Sequence, residues 1–293
     1  MATAEPYLPP SVGTLRGRVM VRARRRRRSR AAVLDRIAIG LLVALTLIAV
    51  ITPWIAPFKP NVVAGDSFSH PGARFLLGTD EVGRDILSRV MFGLRTSWFA
   101  SLGVIASGVV IGGLIGLIAG AAGGWIDDVL MRITDVFLAL PGPILAIAVV
   151  AALGPSLQHT LLAVAIVWWP FYSRIVRGEV KNLASRPHLE AARLAGVGRV
   201  RLAVRHLLPG AIPATMVTAS LDVGNLVLTL AALSFLGLGA PAPAPELGAM
   251  AARGLTYLLQ EWWVPVMPSL AVMVLALVSN LAGDGLRDLL GDR

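Results

Sequence analysis

Six long apolar stretches punctuate the chain, at roughly 34–56, 97–120, 129–152, 157–177, 211–237 and 264–284, each nearly free of charge. Apolar runs of about 18 or more residues are long enough to cross a bilayer as helices. The pattern therefore predicts an all-α integral membrane protein with six spans. Two spans carry unusual punctuation. The second holds Gly103 and then Gly108, Gly112, Gly116, Gly120 and Gly124 at four-residue intervals. That spacing lines small residues along one face and lets two helix backbones approach closely, within one subunit or between two similar ones. The third contains Pro141 and Pro143 in "ALPGP". Proline removes a backbone donor, so this span is expected to break or kink, which a membrane tolerates where protein or a water-filled cavity covers the freed groups.

Composition agrees with the pattern. Of 293 residues, 56% are hydrophobic and 15% charged, with a mean hydropathy of +0.72, whereas soluble domains carry roughly 25% charged residues. The net charge of +10 comes mostly from the first 30 residues, "RGRVMVRARRRRRSR" included, which hold nine arginines and one acid. With no aromatic residue among those arginines, the tail reads as a positive-inside anchor facing anionic lipid, not as a nucleic-acid site. With this tail in the cytoplasm, six crossings return the C-terminus there. The polar stretch 178–210, bearing Lys181, Arg186, Arg193, Arg199, Arg201 and Arg205, is then cytoplasmic, and 238–263, with Arg253 alone, external. The external segment 57–96 carries Lys59, Arg74, Arg84, Arg89 and Arg95 and conflicts mildly with that rule. Five crossings would invert the C-terminal end. Trp168 and Trp169, beside Pro170 in mid-span, are expected to pack against protein.

The stretch "HLEAARLAGVGRVRLAVRHLLP", 188–209, is basic and amphipathic among segments suited to lipid. Ser185 is expected to cap a short helix from His188 to Ala195, with Glu190 free to pair with Arg193 or cap nearby backbone. Gly196 and Gly198 supply a turn, and a second helix, 199–208, ends at Pro209. Ala191, Ala192 and Ala195 leave a smooth surface that another protein could approach. A helix lying flat on lipid would show larger apolar residues there.

Glu190-Ala191-Ala192, Gly196 six residues after the glutamate, then Leu208-Pro209, resembles the "EAA" loop of binding-protein-dependent ABC importers. "LLGTDEVGRDILSRVMFGLRTS" (76–97), "GGWIDDVLMRITDVFLALPG" (123–142), "LSFLGLG" (233–239) and "NLAGDGLRDLLGDR" (280–293) resemble the C-type permease of dipeptide, oligopeptide and nickel importers. The resemblance covers about 34–293. It implies a six-helix type I importer transmembrane domain. Glu190, Ala191, Ala192, Arg193, Gly196, Leu208 and Pro209 would form a cytoplasmic coupling helix that docks into an ATPase. The implied organisation is a basic tail (1–33), a first helix with an external segment (34–96), a permease core (97–285) with its coupling loop (185–209), and a cytoplasmic C-terminal tail (286–293). The implied partners are a second homologous permease, two ATPase subunits holding ATP and Mg, an extracytoplasmic substrate-binding lipoprotein and membrane lipids. The implied location is the bacterial cytoplasmic membrane, with both termini inside. Peptides are the first expectation for cargo, nickel or another metal chelate the second. The acid often found in span five of such permeases is replaced by Leu230, while Asp222 lies two turns earlier. Asp222, Asn225 and Ser234 are accordingly candidates for the translocation path, although Asp222 could simply bond to Asn225.

Catalysis in this chain is not expected. There is no cysteine, so disulfides and thiolate sites are excluded. His70, His159, His188 and His206 never fall at a metal-ligand spacing within one helix. Lys59 and Lys181 are the only lysines and neither follows a glycine, so no phosphate loop is present. A membrane-embedded enzyme lacks converging catalysts, and a stand-alone secondary transporter would work without an ATPase.

Overall fold

The computed structural model of the protein describes residues 36–291, with side chains through 288; the arginine tail assigned to 1–33 lies outside the described residues. The described chain is nearly all helical, with one isolated bridge between Thr79 and Asp85. Among the described residues five helices are long and apolar enough to span a membrane: α1 (Arg36–Ile55), α2 (Ile86–Ala122), α5 (Leu157–Ala184), α8 (Leu208–Phe235, continuous with a helical stretch from Arg199) and α10 (Trp263–Gly291). The helices α3 (Gly124–Ala139) and α4 (Gly142–Leu153) are long and apolar enough only when taken together. Their axes turn by 85° at the break between them, the geometry of a broken span or a re-entrant loop. The turn falls at Leu140-Pro141, with Leu140 extended and Pro141 preceding α4, where the prolines were expected to interrupt the span.

Two helix pairs carry the bundle, and both rest on glycine. A Cβ on Gly112 or Gly116 would strike the α5 backbone at Trp169 and Ser173, and one on Gly120 would lie 2.7 Å from Val180. Gly108 faces Tyr172 in the same row. The stripe thus packs inside this chain, where backbone approach gains dispersion that lipid does not offer. Gly103 and Gly124 meet nothing and stand apart from it. Helices α8 and α10 close similarly, Gly224 against Asn280 and Gly283 against the Ser220 carbonyl. Between the pairs lies one core that includes Trp98, Val104, Val150, Val164, Tyr172, Leu226 and Leu275, joined by Ala49 of α1.

At one end of the bundle, residues 56–85 fold into a platform over the start of α10. His70 meets Trp263 edge to face, with ring centroids 4.7 Å apart, and Phe68 packs on Tyr257. The helix α2 begins at Ile86, eleven residues before the expected start of the span. The Asp85 carboxylate accepts from the Ser88 amide at 2.8 Å and its hydroxyl at 2.6 Å, a capping arrangement that fixes the first turn. Two of the five basic residues of this segment are matched by acids: Arg84 pairs with Asp80 and Glu81, and Arg89 reaches Asp80 at 3.4 Å. At the chain's other extremity, residues 286–291 continue α10, so the expected C-terminal tail is helical as far as it is described.

Arg89 is 2% exposed and donates to the carbonyls of Pro60 (2.7 Å) and Pro243 (3.3 Å), tying the platform to the 236–246 loop. Removing one partner from a buried charge network costs about 3 kcal/mol. Arg89→Ala is expected to lower the melting temperature of the purified protein and to expose 56–85 to protease, while an Arg74→Ala control does neither.

Candidate functional site

At the opposite end of the bundle, the chain between α5 and α8 builds a knob. Arg186 precedes a proline and is held extended, which ends α5, and Pro187 opens α6 (Pro187–Leu194) in a first turn that needs no donor. Ser185 does not cap this helix; its hydroxyl turns back to the Asn182 carbonyl at 3.0 Å. Gly196, with φ +82°, closes α6, and the Val197 amide reaches back to Ala192 O at 3.1 Å, a glycine-dependent stop. A short helix α7 (Arg199–Leu202) follows, then a widened π turn over Ala203–Leu207, in which the Leu208 amide donates to Ala203, five residues back. The extra residue in that turn accommodates Pro209, which would otherwise clash with the carbonyl four before it. Pro209 therefore does not end the helix as expected. It lies in the first turn of α8, and the knob runs into span five without a joint.

Three leucines root the knob. Leu189 and Leu207 are 1% exposed and Leu202 4%, packed with Leu117, Val176, Val180 and Leu183 of α2 and α5. Of the predicted coupling residues, Glu190, Ala191, Arg193 and Gly196 face outward, Ala192 is half-buried against the root, and Leu208 and Pro209 join the knob to α8. Glu190 forms no ion pair with Arg193; each sits instead at the helix end whose partial charge it complements. Sequence reasoning missed the outward apolar residues: Leu194 is 90% exposed and Val200 79%. Their position on a charged surface segment was the available signal. Beside the knob, a cleft of about 520 Å³ is lined by Gly120–Gly123, Arg193, Arg199 and Leu202.

The second candidate region lies near the middle of α8. Asp222 does not bond to Asn225. Its Oδ2 accepts from Trp168 Nε1 at 3.0 Å and from the Tyr172 hydroxyl at 3.2 Å, both on α5. These two donors stand four residues apart, one above the other on the helix. Trp169 packs edge to face on Phe137 of α3. Asn225 is exposed, whereas Ser234 is 2% exposed and lies three turns away near Gly239. Asp222 and Asn225 are thus brought together on one surface, and Ser234 is not. Further ion pairs, Asp127 with Arg177 and Lys181 and Asp135 with Arg174, clamp α3 to α5. In the loop before α9 (Leu247–Gly254), burial pushes the Glu246 carboxyl above its usual range, opposed by the Gly248 and Ala249 amides that it caps.

Among the described residues no cluster of side chains could hold a metal ion. The arrangement offers a rigid lever continuous with a spanning helix, a close-packed bundle with one sharply bent helix pair, and an acid fixed in mid-span.

Comparison with known proteins gives this geometry a family. Residues 112–293 match the binding-protein-dependent transport system inner membrane component family. The chain is 42% identical over 251 residues to the probable D,D-dipeptide transport system permease protein of Escherichia coli K12, covering 85% of this chain and 84% of that one. It is 42% identical over 260 residues to the di/tripeptide transport system permease protein of Pseudomonas aeruginosa, covering 86% of each. It is 40% identical over 257 residues to the glutathione transport system permease protein of Pectobacterium atrosepticum, covering 87% and 85%. The fold resembles a chain of the MetNI methionine ABC transporter in an inward-facing conformation, with TM-score 0.55 and 21% identity, over 70% of this chain and 97% of that one. The protein is a multi-pass inner-membrane permease belonging to the binding-protein-dependent ABC transport family, with the type I importer fold.

Proposed function

We propose that this chain imports di- or oligopeptides across the bacterial cytoplasmic membrane together with a second homologous permease, two ATPase subunits and a substrate-binding lipoprotein. The observation that carries the coupling reading is the knob: it is rooted by buried leucines yet presents Leu194 and Val200 bare to its surroundings. A large apolar side chain left mostly exposed on a stiff support is suited to a protein partner. Peptide cargo is supported by the relatives, whose names specify dipeptides, di- and tripeptides, and glutathione.

In this reading the knob and both termini are cytoplasmic, and the 56–85 platform faces the binding protein. ATP and Mg belong to the partner subunits, whose closure pushes the knob. Because α7, the π turn and α8 are continuous, that push is delivered directly to span five and changes which side the bundle opens to. This chain performs no bond chemistry; it transmits displacement. Purification in mild detergent is expected to recover the two ATPases and the second permease. Proteoliposomes containing the whole set are expected to take up a labelled dipeptide only with ATP and the binding protein, and the chain alone to take up none. Uptake of a nickel chelate in place of peptide would reassign the cargo, and uptake by the isolated chain would overturn the importer reading.

A further inference from the structure

The four fully buried acids of the described chain are each neutralised by a cation or by a helix cap; the partly buried Asp222 is not. Unlike the partly buried Glu179 and Glu261, which also have no cation partner among the described residues, it sits in the middle of a span rather than at its end or in a loop. Asp80 pairs with Arg84 and Arg89, and Asp127 with Arg177 and Lys181. Asp85 and Glu246 cap helices. Asp222 has neither a cation nor backbone amides. It has two neutral donors on one oxygen, and Oδ1 accepts no hydrogen bond from the described residues. It also lies near the midpoint of α8, at the depth where an unpaired carboxylate is most expensive in lipid.

The face on which it lies settles what surrounds it. Thr218, Asp222, Asn225 and Thr229 follow one another at intervals of four, three and four residues, which places them in a single stripe along α8. None of the four is buried, whereas Thr215, Ala219, Val223, Leu226 and Leu230 turn into the bundle. The threonines satisfy their hydroxyls on their own helix, at the Ala214 and Asn225 carbonyls. Asp222 and Asn225 do not have that escape. A stripe with an acid and an amide at its centre is unsuited to hydrocarbon and suited to a hydrated passage.

From this arrangement we propose that Asp222 is the residue of this chain that contacts the cargo's cationic group, the α-ammonium of a peptide, during passage. This rests on the peptide reading above. Trp168 and Tyr172 act as positioning residues: by holding Oδ2 they aim Oδ1 into the stripe, where an ammonium can replace the missing counter-charge. Asn225, one turn on, offers an amide to the adjoining peptide group.

The test uses the complete importer in proteoliposomes, with peptide uptake and binding-protein-stimulated ATP hydrolysis measured side by side. For Asp222→Asn, uptake of a free-amine dipeptide is expected to fall about tenfold, the scale of a lost hydrogen bond to a charged group. ATP hydrolysis is expected to stay within about twofold, so peptide moved per ATP falls. Asp222→Glu, which keeps the charge, is expected to recover much of the loss. An unchanged ratio of uptake to hydrolysis in Asp222→Asn overturns the proposal. So does a parallel loss of assembly and hydrolysis, which would make the residue structural, paired with a cation of the second permease. If the unmutated complex moves no peptide at all, the cargo reading fails first and this inference falls with it.

Discussion

Replacing Leu194 with aspartate is expected to weaken ATPase docking by about 30- to 1000-fold, corresponding to a loss of about 2–4 kcal/mol at an interface hot spot. Leu194 is 90% exposed and lies outside the leucine root of the knob, so the charge disturbs little packing of its own chain. The membrane subunit should keep its melting temperature and its pairing with the second permease. What changes is the contact itself: a surface that receives the leucine would have to desolvate a carboxylate in its place, which is costly. Titration of the ATPase onto the permease in nanodiscs measures the affinity directly, and stimulated ATP hydrolysis should disappear with it. Val200→Asp is expected to act in the same direction with a smaller effect. Leu189→Asp is the contrasting case, since Leu189 is 1% exposed within the root; it should lower the melting temperature as well as docking. If Leu194→Asp bound the ATPase with undiminished affinity, the knob would have to engage its partner through the alanine side of α6.

Much of this was legible in the sequence because it depends on local pattern. Apolar length gave the spans, the Leu140–Pro143 stretch located the break, and glycines four apart marked the helix face that another backbone approaches. Gly196 was recognisable as a turn because only its positive φ closes α6. The errors share a cause: each depended on a partner that periodicity does not reveal. The start of α2 was placed too late because its first turns carry the polar Ser88, Arg89 and Arg95 and are held by the Asp85 cap and the platform, not by lipid. The basic residues of 57–96 were weighed by loop charge alone, whereas two of them, Arg84 and Arg89, are bound to Asp80 within the platform. Asp222 was offered Asn225 on its own helix as an alternative partner, whereas its donors lie fifty and fifty-four residues away on α5. Pro209 looked like a terminator because a π turn, which adds one residue to the helix, has no signature in apolar spacing.

The glycine face carries the other large effect. Gly112→Val is expected to destabilise the protein by about 3 kcal/mol, the upper range for forcing extra volume into a packed interior. A Cβ there would run into the Trp169 carbonyl, with the Ser173 amide and Tyr172 Cβ each at 2.9 Å. Two of those three are backbone atoms, which cannot rotate aside, so α2 and α5 must separate. Separation would not stay local. Trp168 and Tyr172, which hold Asp222, stand in the same turns of α5 as the residues that would be displaced. Leu183 and Val180, which help root the knob, lie further along that helix. The added isopropyl group should therefore lower the melting temperature, loosen the span-five acid and blunt the coupling between ATP hydrolysis and uptake. Gly103→Val supplies the control on the same helix, because a Cβ at Gly103 meets nothing within 4 Å. Thermal unfolding in detergent of both variants decides the matter: equal melting temperatures would mean that the two backbones are not held together at Gly112, and the packing that links span five to its acid would have to be sought elsewhere.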